Sequence, residues 1–284
     1  MSFLRTFLKL GRVAGLPTIW SNCLAGWWLG GRGNAEKLPL LFLGATFLYL
    51  GGTFLNDAFD ASYDRQHRHG CPPIPSGMAS LEVVRGLGLA WLALGGICWL
   101  RLGSVTGSLA IVLALCILLF NAIHRLLTFS PALLAICRVV LYMAAASTAS
   151  NSITGWSIWC GLALGAYVIG LEYFAHRGKS PSSVQYWPAL LLVAPVLLAL
   201  IMDVDGYREG ALLVSAVLCL WLLRCLRHTW WSAERNVKLT ASGLVASIVL
   251  IDWLAAMDAP RQLGFAFLGL WGVALLLARL APRD

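Results

Sequence analysis

The sequence predicts an all-α protein, a polytopic bundle of transmembrane helices that crosses the bilayer nine or ten times. Three observations carry this. Hydrophobic residues make up 59% of the 284 and charged residues only 12%, with a mean hydropathy of +0.77, so there is too little polar material to cover a soluble globule. Apolar runs long enough to cross a membrane recur along the whole chain. The 13 Trp and 28 Gly suit that setting: indoles favour the membrane interface, and glycines let helices approach closely where no hydrophobic force drives them together.

Taken in order, the expected spans are 13–31, 38–55, 83–100, 102–123, 129–149, 153–171, 186–202, 209–223, 239–257 and 262–278. Pro188 and Pro195 interrupt the seventh, and Asp252 the ninth. Arg5, Lys9 and Arg12 precede the first run, but no small-residue cleavage site follows it, so it reads as a retained span. With the N-terminus in the cytoplasm, fifteen of the 21 Lys and Arg fall on the inner side and five on the outer, with Arg138 left inside a span. The positive-inside rule thus favours ten crossings with both termini cytoplasmic. The net charge of +8 is on this reading a topology signal, and no basic arm suggests nucleic-acid binding. One domain, 1–284, is expected. Seven of the eight cysteines lie in or at the ends of apolar spans without a Cys-x-x-Cys pair and read as small core residues; Cys71, in a polar loop, reads as structural.

The second span ends in Asn56-Asp57-x-x-Asp60-x-x-x-Asp64. A helix continuing through it places the four side chains at roughly 0°, 100°, 40° and 80°, within one arc. Carboxylates packed this way repel one another unless a cation neutralises them, and a hard oxygen cluster suits Mg²⁺, which shares its shell with phosphates and water. The pattern therefore points to a Mg²⁺-diphosphate site. A solvated acidic loop balanced by Arg65, Arg68 and two histidines is the alternative. The following segment, Asp64 to Gly77, adds cations for phosphate oxygens and a proline-stiffened turn.

These residues resemble the UbiA superfamily of intramembrane prenyltransferases, which carries N-D-x-x-D-x-x-x-D after its second helix and then a loop ending R-P-I-P-S-G. Here the loop reads Pro72-Pro73-Ile74-Pro75-Ser76-Gly77, with proline in place of the arginine. The resemblance runs from Gly11 to about Met257 and implies two acidic motifs facing each other across a central cavity. The second, D-x-x-x-D in the superfamily, corresponds here to Glu172-Tyr-Phe-Ala-His176, followed by Arg177 and Lys179. Glu172 and His176 share a helix face, but imidazole is a poor Mg²⁺ ligand, so one well-held Mg²⁺ at the first motif is expected.

What the resemblance implies is transfer of a prenyl group from a polyprenyl diphosphate to an acceptor. Asn56, Asp57, Asp60 and Asp64 hold Mg²⁺, with Glu172 opposite; Arg65 and Arg68, with Arg177 or Lys179 across the cavity, neutralise the departing diphosphate. The prenyl chain lies in the apolar centre or among membrane lipids. His176 or His124 is a candidate proton acceptor. Asn121-Ala-Ile-His124-Arg125 stands where the superfamily tends to have a Tyr and Lys-Arg segment. Arg138 is a substrate-binding candidate because a charge at that depth needs a polar cavity or a partner, with Glu172 or the diphosphate as possible counter-charge. Asn22 and Asp252 are weaker candidates, each able simply to bond a neighbouring helix.

Cys137-Arg-Val-Val-Leu-Tyr142, Gly170 to Arg177 and Ile251-Asp-Trp are similar to the EboC-like proteins, bacterial UbiA relatives. That similarity implies a bacterial cytoplasmic membrane and an acceptor unlike quinone precursors. Two further readings stay open: a diphosphate-lipid binding or scaffold subunit, and a transporter with an acidic vestibule. Against the transporter, no pair of Gly- or Pro-broken helices stands in matching halves.

Overall fold

A computed structural model describes residues 10–67, 74, 77, 79–125, 130–177, 187–202, 208–231 and 236–280. Twelve α-helices account for most of them: α1 (Leu16–Leu29), α2 (Leu38–His67), α3 (Leu81–Leu100), α4 (Ser104–Ile123), α5 (Ser130–Ala146), α6 (Gly155–Arg177), α7 (Trp187–Leu192), α8 (Ala194–Ile201), α9 (Arg208–Trp230), α10 (Val237–Ala246), α11 (Ile248–Ala255) and α12 (Arg261–Leu280). The described residues contain no strand. Each of the ten expected spans contains a helix or a helix pair. Among the described residues, seven stretches are long and apolar enough to cross a membrane: α2, α3, α4, α6, α9, α10 with α11, and α12. Helices α1 and α5 are shorter, at 14 and 17 residues. Bulky apolar side chains such as Leu115, Ile201, Leu213, Leu220 and Phe265 point outward, as expected where lipid takes the place of water. The chain is an integral membrane protein.

The local sequence explains where the helices start and break. Pro17 and Pro131 sit in the first turns of α1 and α5, where a missing N–H costs nothing. The Ser80 hydroxyl caps α3 by accepting from the Val83 amide, and Glu82 lies in the first turn. Helix α2 does not stop where its apolar run stops. It continues to His67, which keeps the whole acidic motif helical.

Two expected spans are broken. Pro195, which has no N–H to donate, opens α8 after the turn at Val193. Ser247 separates α10 from α11, and its hydroxyl bonds back to the Leu244 carbonyl and to the Tyr167 hydroxyl. Both breaks fall in the second half of the chain, so they do not form matching halves.

Helix α1 is the hub, packing on α2, α5, α11 and α12. Its approach to α5 is backbone-close: a Cβ at Gly26 would lie 2.6 Å from the Tyr142 carbonyl oxygen and 2.8 Å from the Ala145 methyl. A glycine facing alanines is how helices associate where lipid removes the hydrophobic drive. Beyond this contact the backbone closes the bundle. The Ser150 amide donates to the Arg32 carbonyl at 2.6 Å and the Asn151 amide to the Gly30 carbonyl at 2.8 Å, while the Arg32 guanidinium stacks on Trp28. At the opposite end, Leu10, Phe54, Ala61, Ile74 and Val84 form a small apolar cluster beneath the acidic turns of α2.

Substituting Gly26 with Leu should overpack the α1–α5 contact and cost about 1–3 kcal/mol. Gly96→Leu, where nothing lies within 4 Å of the new Cβ, should leave stability unchanged. Melting temperatures of the two purified variants check this, and equal losses would show that the α1–α5 approach is not tight.

Candidate active site

A cavity of about 790 Å³ runs into the bundle from the acidic end of α2. One stripe of α2 forms a wall: Ala45, Leu48, Tyr49, Gly52, Asn56, Asp60 and Tyr63 recur at helical spacing, so the same face passes from apolar to acidic. Leu113, Ile117 and Phe120 of α4 and Leu134 and Leu141 of α5 continue the apolar lining, and Arg138 and Glu172 stand in it.

Each carboxylate of the motif meets an arginine or a histidine. Arg12 donates from Nη2 to Asn56 Oδ1 at 2.6 Å and to Asp57 Oδ1 at 3.0 Å. Arg125, just past the end of α4, donates from Nε to Asp60 Oδ1 and from Nη2 to Asp64 Oδ1 at 3.3 Å, and lies 3.8 Å above the Tyr63 ring. His124 Nε2 is 3.2 Å from Asp60 Oδ1, its ring stacked on Phe120. Partial burial works against the Arg125 charge, but hydrogen bonds to Asp60 and Asp64 and their fields outweigh it and hold its pKa above the ordinary arginine value. Asn56 completes the arrangement by donating from Nδ2 to Asn121 Oδ1 at 3.1 Å, and Asn121 donates to the Gly52 carbonyl at 3.2 Å, tying α2 to α4.

The residues singled out from the sequence separate into three groups. Asn56, Asp60, His124 and Arg125 line the cavity mouth, while Asp57 and Asp64 sit beside it on Arg12 and Arg125. Arg138 and Glu172 line the cavity deeper in. Arg65 is exposed and does not line it, and Asn22 is fully buried and does not line it either. Arg68 and Lys179 lie outside the described residues, as do the side chains of His176 and Arg177.

The sequence alone does not mark Arg12 or Tyr49 as site residues, and it marks Asp252 only weakly. Arg12 has φ 40°, a left-handed conformation uncommon outside glycine, and Tyr49 holds it by donating to the Arg12 carbonyl at 2.9 Å. Gly15 leaves room for that Tyr49 hydroxyl. Tyr49 lies seven residues before Asn56, two turns back on the same face, and that spacing was the available signal. No local pattern announces Arg12, whose partners are 44 and 45 residues away.

Asp252 organises the polar interior behind the cavity. Its Oδ2 accepts from the Ser21 hydroxyl and from Asn22 Nδ2 at 2.7 Å, and its Oδ1 accepts from the Tyr142 hydroxyl at 3.0 Å. Asn22 Oδ1 in turn accepts from Arg138 Nη1 at 2.6 Å, and Arg138 also donates to the Thr18 carbonyl at 3.3 Å and the Thr18 hydroxyl at 3.0 Å. Asp252 thus answers the buried arginine through Asn22, and the Glu172 charge acts on it through space as well.

As to a metal, the donors on α2 are three carboxylates and a carboxamide, the hard oxygens Mg²⁺ takes. Among the described residues no three His, Cys, Asp or Glu groups converge closely enough to hold a metal by themselves. The face suits an ion that completes its shell from phosphate and water.

An acidic helix face braced by arginines stands at the mouth of a cavity inside a membrane bundle, and comparison with known proteins narrows the fold. The chain shares its fold with a UbiA homologue from Archaeoglobus fulgidus solved with GPP and Mg²⁺, at a TM-score of 0.66 and 13% identity over 96% of this chain and 99% of that one. A structure from work on digeranylgeranylglyceryl phosphate synthase in membranes superposes with a TM-score of 0.63 and 18% identity, covering 96% and 100%. A stretch of 107 residues is 36% identical to digeranylgeranylglyceryl phosphate synthase of Ignicoccus hospitalis; it spans 38% of this chain and 35% of that protein, about a third of the relative's length. The sequence matches no protein-family model. The chain thus shares the fold of the solved UbiA homologue.

Replacing Asp252 with Ala would remove the acceptor of the Asn22 and Tyr142 bonds and the charge behind Arg138, and should destabilise the protein by about 3–5 kcal/mol. Tyr142→Phe, which removes one bond to the same acid, should cost about 1.5–3 kcal/mol. Unfolding in denaturant-titrated micelles measures both. A neutral Asp252→Ala would mean that the network does not hold α1, α5 and α11 together.

Proposed function

We propose that this chain transfers a prenyl group from a polyprenyl diphosphate to an acceptor inside the membrane cavity. One observation supports the reading most: Asn56, Asp57, Asp60 and Asp64 meet Arg12, His124 and Arg125 at the mouth of a cavity whose walls are mainly apolar. A diphosphate needs charge at the mouth, and a prenyl chain needs the interior. Asn56, Asp57, Asp60 and Asp64 are the residues that hold Mg²⁺, which when bound supplies charge to offset the departing diphosphate. Arg12 and Arg125 are the donors for phosphate oxygens, arginine being suited to paired oxygens. Ile19, Leu48, Leu113 and Ile117 line the prenyl channel and keep water from the allylic cation. The excess of Lys and Arg on the side of the acidic motif supports a cytoplasmic mouth.

The segments similar to EboC-like proteins supply Arg138, Tyr142, Glu172 and Asp252, which stand in or directly behind the cavity wall. This supports an acceptor of its own kind for this chain. A second reading is favoured by the loss of the second motif's carboxylate at His176: a protein that binds a diphosphate lipid without turning it over.

Diphosphate release from geranylgeranyl diphosphate by the full-length protein in nanodiscs, at varied Mg²⁺, tests the proposal. Wild type should release diphosphate only with Mg²⁺, and Asp57→Ala and Asp60→Ala should each lower the rate by about two orders of magnitude or more while the fold survives. Mg²⁺-dependent binding without release, with release appearing in His176→Asp, would establish the binding protein instead. Release unaffected by Asp57→Ala and Asp60→Ala would sink both readings of the acidic face.

A further inference from the structure

We propose that Arg138 is the anchor for a single anionic group on the acceptor, a carboxylate or a phosphate monoester, at a subsite deeper than the acidic face of α2. The word acceptor rests on the prenyl-transfer reading; the anion site does not. Three arginines line the cavity: Arg12, Arg125 and Arg138. The first two pair with the α2 carboxylates at the mouth, where the diphosphate is bound. Arg138 lies eight residues into α5, roughly 12 Å along the helix axis from its start.

The contacts of Arg138 occupy one side of its guanidinium. Both Nη1 hydrogens and one Nη2 hydrogen go to Thr18 and Asn22, which fix the plane of the group. All of these partners are uncharged. The Nε hydrogen and the second Nη2 hydrogen, the side-on fork, have no partner among the described residues, although Arg138 faces the cavity. Two parallel N–H groups in a fixed plane match two oxygens of a carboxylate or phosphate. Asp252 behind Asn22 keeps the cation tolerable while the subsite is empty, and Thr18 and Asn22 orient it in advance of the ligand. Glu172, the other charged residue deep in the wall, acts on the Arg138 charge through space without a hydrogen bond to it, and has a further partner of its own.

The experiment measures dissociation constants of octyl phosphate, octanoate and octanol for the full-length protein in nanodiscs, with empty nanodiscs as the blank. Wild type should prefer at least one anion over octanol by about tenfold or more, and the tighter of the two names the acceptor's headgroup class. Arg138→Gln should abolish that preference, weakening the anion by a larger factor than geranylgeranyl diphosphate with Mg²⁺. Arg138→Lys keeps the charge and loses the fork, and should lower the preference at least about threefold. Arg125→Gln should do the reverse, weakening the diphosphate and sparing the preference. If Arg138→Gln fails to fold, Arg138→Lys decides, and an unchanged preference in it overturns the proposal. So does a wild type without preference, or an Arg138→Gln that weakens anion and diphosphate equally. Anion preference without any diphosphate release removes the prenyl-transfer reading and leaves the subsite; release without preference removes the subsite alone.

Discussion

Asp252 ties three helices together where no water is available to do so. In a bilayer every polar group must find a partner within the protein, and this one carboxylate takes hydrogen bonds from Ser21 and Asn22 of α1 and from Tyr142 of α5, while itself belonging to α11. Through Asn22 it also carries Arg138. The close approach of Gly26 to α5 places Ser21, Asn22 and Tyr142 within reach of the acid. Because α1 is fixed on one side by this network, the turn that precedes it lays Arg12 across the end of α2. The same helix thus joins the interior network to the mouth.

The mouth solves a different problem. Three carboxylates on one helical arc repel each other, and two arginines and a histidine drawn from the start of α1 and the end of α4 offset that repulsion. These partners are also the groups a phosphate would want. A ligand that brings its own negative charge together with a divalent cation exchanges one set of ion pairs for another, with little change in the net charge of the site.

Much of this was legible in the sequence. The ten apolar runs each contain helix because burial in lipid leaves few other ways to satisfy the backbone, and the Asn56 to Asp64 spacing predicts a common face because the helix period decides it. Reading stopped at contacts between distant segments. Arg12 looks like any inner-side cation until α1 carries it to Asn56, and Asp252 reads only as an acid able to bond some neighbouring helix until α1 and α5 are packed around it. The breaks at Val193 and Ser247 were only half visible: Pro195 announces the first, whereas Ser247 acts through Tyr167, eighty residues away. Arg138 was marked by its depth alone, and the identity of its counter-charge needed three helices in place.

The backbone closure at the far end fixes where a ligand can sit. Residues 30–33 and 149–152 are joined by main-chain hydrogen bonds, and none of them lines the cavity. The lining runs from Tyr63 and Arg125 only as deep as Ala45 and Leu141, so the chamber occupies the half of the bundle that carries the acidic turns.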